Sequence, residues 1–386
     1  MVLIKGVSAK SIPDSRNEKT IEISIDTSAG VFSASSPTGK STGKYEAKPY
    51  RKLLDDDIKK IKEFSDYFSK DAMDKFDDLK AIEDVLDGHV GANTKFAFES
   101  AVLKAMAKEH GKEIWQLINK NAKKFPRLAG NCVGGGKHSQ SEKKPDFQEF
   151  LLIPDKKTVV ENFEAMKKGK NSAEKDLEDS DEKFRGEKND EDAWQTSLNE
   201  KEVLEILKKL GIPPGVDVAS SGFYSRKKYL YKNPMLKRNP EEQMDYISNL
   251  IRNFNLFYIE DPFDEDDFES FSELTKKFPN RLIVGDDLTT TNYERVKKAV
   301  KMKSVSGLIV KPNQIGSLIE VKNVCELAKK NNIKIIFSHR SGETNESVLA
   351  DLAFGFGADF LKCGITGKER EVKIKRLIEI EKNFGN

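Results

Sequence analysis

The sequence predicts an α/β barrel preceded by a smaller α+β domain. Three observations predict it. From residue 217 to residue 364 one pattern recurs six times: a short apolar run, a charged or polar residue, then a turn. The six are GVDVASS with Asp217, LFYIEDPF with Glu260, RLIVGDDLTT with Asp286, SGLIVKPNQIGS with Lys311, IKIIFSHRSGET with His339 and DFLKCGITG with Lys362. Apolar runs rich in Val, Ile, Leu and Phe read as strands buried on both faces, as in a parallel sheet. Second, Glu260, Asp286, Lys311, His339 and Lys362 stand 26, 25, 28 and 23 positions apart, about one strand–helix unit each. Third, three strand candidates come before a run of helical periods in the first part of the chain.

Taken in order, residues 2–10, 20–26 and 31–35 are strand candidates, and IEISID alternates as a half-exposed antiparallel strand does. DSRN and TSAG between them supply turn chemistry. Residues 35–47, SSPTGKSTGKYEA, form a loop rich in Gly, Ser and Thr that fails the GxxxxGK[ST] test for a phosphate-cradling loop. Helical spacing follows from Arg51 to about Lys123, with FAFESAVLKAMAKEHG as an amphipathic helix stopped at a glycine and IWQLINK as a short one. Pro126 marks the expected boundary, giving a capping domain over 1–126 and a barrel over 127–386, close to the size of one barrel. VGGGKHSQS is a glycine-rich loop carrying His138, and FQEFLLI reads as a strand with Gln148 and Glu149 at its start. Residues 171–199 are charged and weakly patterned, the composition of a mobile acidic loop, apart from Trp194. Asn199 caps a helix ending at Gly211, and residues 369–384 form the last helix.

Composition narrows the function classes. Lys and Arg number 66 against 64 Asp and Glu, a net charge of +2, so bulk attraction to nucleic acid or an anionic membrane is not implied. Cys132, Cys325 and Cys363 are scattered and odd in number, which gives no disulfide framework and suits a reducing compartment. With no leader-like start and no apolar run of 18 residues, a cytoplasmic, soluble protein is expected.

In a barrel the strand ends converge on one mouth. Asp217, Glu260 and Asp286 end three successive predicted strands, and three such anions repel unless a cation relieves them. An all-oxygen set favours a hard cation such as Mg2+ over zinc. Lys311 ends the next strand, and an ammonium beside a dication is pushed toward the neutral form that a general base needs. His339, Arg340, Ser341 and Lys362 follow, suited to a phosphate and a carboxylate. The combination points to proton abstraction beside a metal-bound carboxylate. Singly, each residue reads equally well as a helix cap, a surface ion pair or a rim lysine; the ordered set carries the weight.

At this point the chain resembles a family, enolase (phosphopyruvate hydratase). The resemblance runs along nearly the whole sequence through IPDSR, STG-YEA, VGAN, FQEF, IEDPFDEDD, GDDLTTTN, KPNQIGS and SHRSGET. It implies a TIM-like barrel with an enolase-type ββααββ start, and a glycolytic lyase interconverting 2-phosphoglycerate and phosphoenolpyruvate. Carried over by position, it implies that Asp217, Glu260 and Asp286 hold one Mg2+ and that Ser41 contacts a second. Lys311 would take the C2 proton, and Glu191, aided by Glu149, would protonate the departing hydroxyl. Arg340 and Ser341 would bind phosphate, His138 and His339 would close over the substrate, Lys362 would stabilise the carboxylate and Gln148 would lie nearby. A homo-oligomer, usually a dimer, is implied, with Arg16 and Glu381 at positions of an intersubunit ion pair. The departures are in the loops: the DEGGF element stands here as Asp190-Glu191-Asp192-Ala193-Trp194, the glutamate of an ASEFY element is Gly222, and KHSQS is lengthened. They leave open an enolase-like paralogue with another acid substrate and a non-catalytic binding protein on the same fold.

Overall fold

The computed structural model describes residues 1–40, 43–64, 67–68 and 72–384. The three expected N-terminal strands are present. β1 (Val2–Pro13), β2 (Lys19–Thr27) and β3 (Gly30–Ser35) form an antiparallel meander, and β4 (Ala72–Met73) pairs with β1. Alternation along β2 turns Ile21, Ile23 and Ile25 inward. Around that face lie α1 (Leu54–Glu63), α2 (Leu79–Leu86), α3 (Ala92–Glu109) and α4 (Ile114–Asn119). α3, expected to be amphipathic, is instead buried around most of its circumference, Thr94, Glu99 and Ser100 included. It packs on β2 and β3 and also meets the barrel, where Glu99 accepts the Leu318 amide at 2.7 Å.

The barrel opens with two strands, β5 (Arg127–Gly134) and β6 (Glu149–Leu152), and two helices, α5 (Val159–Ser180) and α6 (Glu200–Lys209), separated by a short edge strand β7 (Trp194–Gln195). Six strand–helix units follow. β8 (Pro214–Asp217) leads through a meander of β9 (Tyr224–Ser225), β10 (Lys228–Lys232) and β11 (Met235–Arg238) to α7 (Pro240–Phe254). Then come β12 (Tyr258–Glu260) with α8 (Phe268–Lys277), β13 (Leu282–Gly285) with α9 (Tyr293–Met302), and β14 (Gly307–Val310) with α10 (Pro312–Ile315) and α11 (Leu318–Lys330). The last two units are β15 (Lys334–Ser338) with α12 (Val348–Gly355) and β16 (Phe360–Gly364) with α13 (Lys368–Phe384). The ring order is β5-β6-β8-β12-β13-β14-β15-β16, closed by a parallel β16–β5 pairing. β6 alone runs against its neighbours, so its first residue, not its last, lies at the mouth.

The period of two along a strand divides the barrel interior into layers. Ala129, Leu151, Ile153, Tyr258, Leu282, Val284, Ile309, Ile336 and Phe360 fill it with an apolar plug. Two positions further toward the mouth, the same faces present Asn131, Glu149, Glu260, Asp286, Lys311, Ser338 and Lys362. The chemistry-bearing ring and the plug are one alternation read twice.

Two segments depart from expectation. Residues 171–180 are the second half of α5, not a mobile loop. Thr158 caps that helix, accepting the Glu161 amide at 3.1 Å, and Glu381 accepts the Val159 amide at 2.9 Å. Its charges ride the solvent side while Phe163, Met166, Ala173 and Leu177 pack inward. Residues 181–199 are held by Asp181, whose carboxylate accepts Thr196 Oγ1 at 2.6 Å and the Ser197 amide at 2.7 Å. Trp194 seats its indole Nε1 on the Lys170 carbonyl at 3.1 Å. The β9–β11 meander, between β8 and α7, has no counterpart in the sequence reading. Within this chain Glu381 serves that helix cap, and Arg16 Nη2 donates to Glu18 at 2.6 Å and Thr38 at 2.9 Å.

Candidate active site

Asp217, Glu260, Asp286, Lys311 and Lys362 all stand at strand ends around the mouth; Lys311 is half-buried and the other four are buried. Glu260 is opposite Asp217 in the β12–β8 ladder, and Glu149 is opposite Asp217 in the β6–β8 ladder. Lys362 Nζ reaches across the ring to Glu260 at 2.8 and 2.9 Å, to Asp217 at 3.2 Å and to Glu149 at 3.3 Å. Lys311 Nζ donates to Asp286. Burial and the Asp217 charge push the Glu260 carboxyl up to about 8. Burial would also raise Asp286, but the Lys311 and Lys362 ammoniums outweigh it and hold Asp286 below the ordinary carboxylate range. Burial pulls Lys311 down, yet Asp286 prevails and its ammonium is held above its ordinary value.

The donor chemistry of Asp217, Glu260 and Asp286 fits a hard divalent cation: carboxylate oxygens only, carried on adjacent rigid strands. Their oxygens do not converge on one point, because Lys362 stands between Asp217 and Glu260 and Asp286 turns to Lys311. Among the described residues, the ligand atoms that lie within 4.8 Å of one another are those of His138, Glu149 and Glu191, and those of Asp261, Asp286 and Asp287. Gln148 donates to Asp217 at 3.3 Å, beside the acids as expected. Ser41 lies outside the described residues.

Across the mouth, Glu191 is only 2% exposed although it comes from a loop. Asn131 Nδ2 donates to it at 2.8 Å, and His138 Nδ1 and His339 Nε2 stand 3.3 and 3.7 Å from its two oxygens. Burial would raise the Glu191 carboxyl; His138, His339 and Arg370 together outweigh it, and Glu191 sits well below the ordinary range. Burial drives the His339 imidazole well below its ordinary value, so it faces Glu191 as a neutral ring. Glu149 goes the other way, pushed well above its ordinary value by burial and by the Glu191 charge. Two neighbouring acids with their affinities pushed apart favour the proton on Glu149 over Glu191. Glu149 Oε2 is buried without a hydrogen-bond partner, free to meet a ligand.

Arg340 and Ser341 lie on the loop after β15, where Gly39, Lys40 and Glu46 meet it. Arg340 Nη2 donates to Glu46 at 2.9 Å and Nη1 to Asn313 at 3.2 Å. Ser341 Oγ accepts the Lys40 amide at 2.8 Å. A Cβ at Gly39 would lie 1.9 Å from Arg340 Nη2, so a side chain there would displace the guanidinium. Gly39, His138, Gln148, Glu149, Glu191, Lys311, Ser338, His339, Arg340 and Ser341 enclose one small pocket of about 20 Å³. A wider cleft of about 570 Å³ leads to it past Lys137, Gln148, Ala219 and Gly222. In the inner pocket Glu149, Glu191, Lys311 and the Arg340 guanidinium meet; the larger hollow adjoins it at Gln148.

Residues 122–386 match the family model described as the enolase C-terminal TIM barrel domain. The chain belongs to the enolase family. It is 37% identical to the enolase of Pyrobaculum aerophilum over 95% of this chain and 92% of that protein. It is 35% identical to that of Methanosphaera stadtmanae over 100% of this chain and 98% of that protein. The enolase of Sulfurisphaera tokodaii is 37% identical over 99% of this chain and 96% of its own length.

Two departures from the enolase pattern now have a physical description. Asp192 stands where the pattern has a glycine and keeps a left-handed backbone, φ 62°. Gly222 opens on the approach cleft, with the Lys137 side chain 3.4 Å from where its Cβ would be.

Four partners of the site escaped the sequence reading. Asn131 had a signal, since LAGN repeats the strand-then-polar pattern on β5. Asp261 accepts the Asp286 and Asp287 amides at 3.0 and 2.7 Å and so aims the end of β13. Glu343 accepts the Arg340 amide at 3.0 Å and pairs with Lys373 at 2.7 Å. Arg370 donates to the carbonyls of Ser341 at 2.6 Å and Asp190 at 2.9 Å, joining the Ser341 loop to the Glu191 loop. Glu343 lies within SHRSGET, three residues after Arg340, whereas Arg370 acts from a distance in sequence and nothing local marks it.

Proposed function

We propose that the chain interconverts 2-phosphoglycerate with phosphoenolpyruvate and water, as a Mg2+-dependent lyase of the glycolytic reaction sequence. One observation carries the reading. β14 and β6 are four places apart around an eight-stranded ring, so Lys311 and Glu149 face each other across a single pocket with Glu191 beside the latter. A base on one side and an acid on the other suit removal of a proton and a hydroxyl from adjacent carbons.

In this reading Asp217, Glu260 and Asp286 hold Mg2+, with a second ion near the loop that carries Ser41. When bound, the metal supplies charge neutralisation at the substrate carboxylate. Lys311, released from Asp286, takes the proton from C2. The proton shared by Glu149 and Glu191 passes through Glu191 to the departing hydroxyl oxygen. Arg340 and Ser341 hold the phosphate, and Lys362 meets the carboxylate. His138 and the neutral His339 wall off Glu191 from water. The capping part over 1–126 and the barrel over 127–386 act together, because Gly39 lines the pocket beside the barrel residues. We assign a cytoplasmic homodimer on the same family grounds.

Absorbance during incubation with 2-phosphoglycerate and Mg2+, with EDTA as control, tests the reading. A rise abolished by EDTA is the expected result. No rise, with Mg2+ binding retained in calorimetry, turns attention to a different phosphorylated acid, the reading that the open space at Gly222 favours.

A further inference from the structure

A buried cation unrelated to the substrate pocket lies behind the Glu191 loop. Lys170, on α5, is 1% exposed. Its Nζ donates to the Asp192 carboxylate at 3.1 Å, and also to the Asp192 carbonyl and to Thr366 Oγ1. Thr366 Oγ1 in turn donates to the same carboxylate. The ammonium therefore grips both the backbone and the side chain of the residue immediately after Glu191. Asp192 needs such a hold. Its φ of 62° is a conformation that glycine adopts freely and other residues resist.

The rest of the loop leaves Glu191 little slack. Asn189 Oδ1 accepts the Glu191 amide at 3.0 Å and the Ala193 amide at 2.9 Å. Arg370 fixes the Asp190 carbonyl at 2.9 Å. A Cβ at Gly364 would lie 2.6 Å from the Glu191 carbonyl oxygen, so β16 presses on the loop from behind.

We propose that Lys170, Asp192 and Thr366 form a lock that positions the Glu191 carboxylate, replacing with side-chain anchoring what a glycine pair would leave to a pliant loop. The proposal rests on the proposed function, in which Glu191 delivers the proton. Lys170 and Thr366 touch neither substrate nor the reacting atoms; they are positioning residues.

The test is a double-mutant cycle on the full chain with Mg2+ and 2-phosphoglycerate: wild type, Lys170→Met, Asp192→Gly and the pair. Lys170→Met is expected to lower kcat about tenfold or more, with KM changed less than twofold, since small misplacement of a reacting group costs rate rather than binding. In the Asp192→Gly background the same substitution is expected to change kcat by less than twofold, because its anchor point is gone. A merely structural lysine would lower the melting temperature equally in both backgrounds and leave kcat of the folded fraction unchanged; that result overturns the proposal. Should Lys170→Met fail to fold, Thr366→Val and Asp192→Asn decide: a severalfold loss of kcat at constant KM supports the lock, and unchanged kcat overturns it. A wild-type chain without turnover overturns the functional reading and this device with it. An active wild type with unaffected variants overturns the lock alone.

Discussion

Single side chains at the mouth divide into those that do chemistry and those that aim them. Lys311→Ala removes the proposed base, and turnover should fall by about 10²–10⁴-fold while calorimetry still detects Mg2+ binding. Turnover at the wild-type rate would remove Lys311 from that role. Asn131→Ala frees one oxygen of Glu191 in a buried place; losing one hydrogen bond to a charged group costs about 1.5–3 kcal/mol, so kcat should fall at least tenfold. The ring of strand-end residues was legible because an apolar run that stops at a charge is a local pattern. Asp261, Glu343 and Arg370 were not legible as site partners, since their value lies in what the fold brings beside them: two amides, an amide with a lysine, and two loop carbonyls. The separation of Glu149 from Glu191 was equally hidden. It depends on which of two adjacent acids meets His138.

At the scale of elements, the segment after α5 depends on one carboxylate. Burial pushes Asp181 up, but hydrogen bonds from Ser197, Thr196 and Lys183 outweigh it and leave Asp181 below its ordinary value. A depressed folded pKa gives stability that is present above the unfolded value and is lost as pH falls through the folded one. Wild type should therefore lose stability below about pH 4 more steeply than Asp181→Asn in thermal melts. Near neutral pH, Asp181→Ala should cost about 2 kcal/mol by denaturant titration. Composition misled here. A run such as EKDLEDSDEK looks solvated in every conformation, and what makes its first half a helix is inward spacing of Phe163, Met166, Ala173 and Leu177 begun outside the run. The β9–β11 meander was missed for the opposite reason. Its strands are short, and KYLYK meets MLKR through a turn that carries no Asn-Gly or Asp-Gly signal.

For the molecule as a whole, the N-terminal unit and the barrel meet through buried polar contacts rather than a greasy interface alone. Asn313 Nδ2 reaches Asn93 at 2.9 Å, Ser35 Oγ reaches Thr344 at 2.8 Å, and Glu99 receives the Leu318 amide. Burial, with the Glu83 charge added, raises the Glu99 carboxyl well above its ordinary value. A raised folded pKa means that Glu99 holds its proton, contributing stability that is full below the unfolded pKa and is lost as pH rises toward the folded one. The deficit grows by about 1.4 kcal/mol per pH unit between the two. Glu99→Gln, uncharged throughout, should thus gain on wild type as melts move from pH 5 to pH 9; parallel curves would refute the buried neutral acid.

The alternation that stacks a polar ring on an apolar plug also decides what kind of genetic change this barrel tolerates. Along β12, Tyr258 and Glu260 face in while Ile259 faces the helices. Replacing Ile259 by another aliphatic residue disturbs packing, but deleting any one residue there turns Glu260 outward and brings its neighbour into the mouth. A library of single-residue deletions should consequently be depleted throughout the eight ring strands, wherever the side chains sit. It should be tolerated at exposed Pro279 and Asn280 between α8 and β13, where a loop absorbs the change of frame. In this protein, strand length is a more strictly held quantity than strand composition.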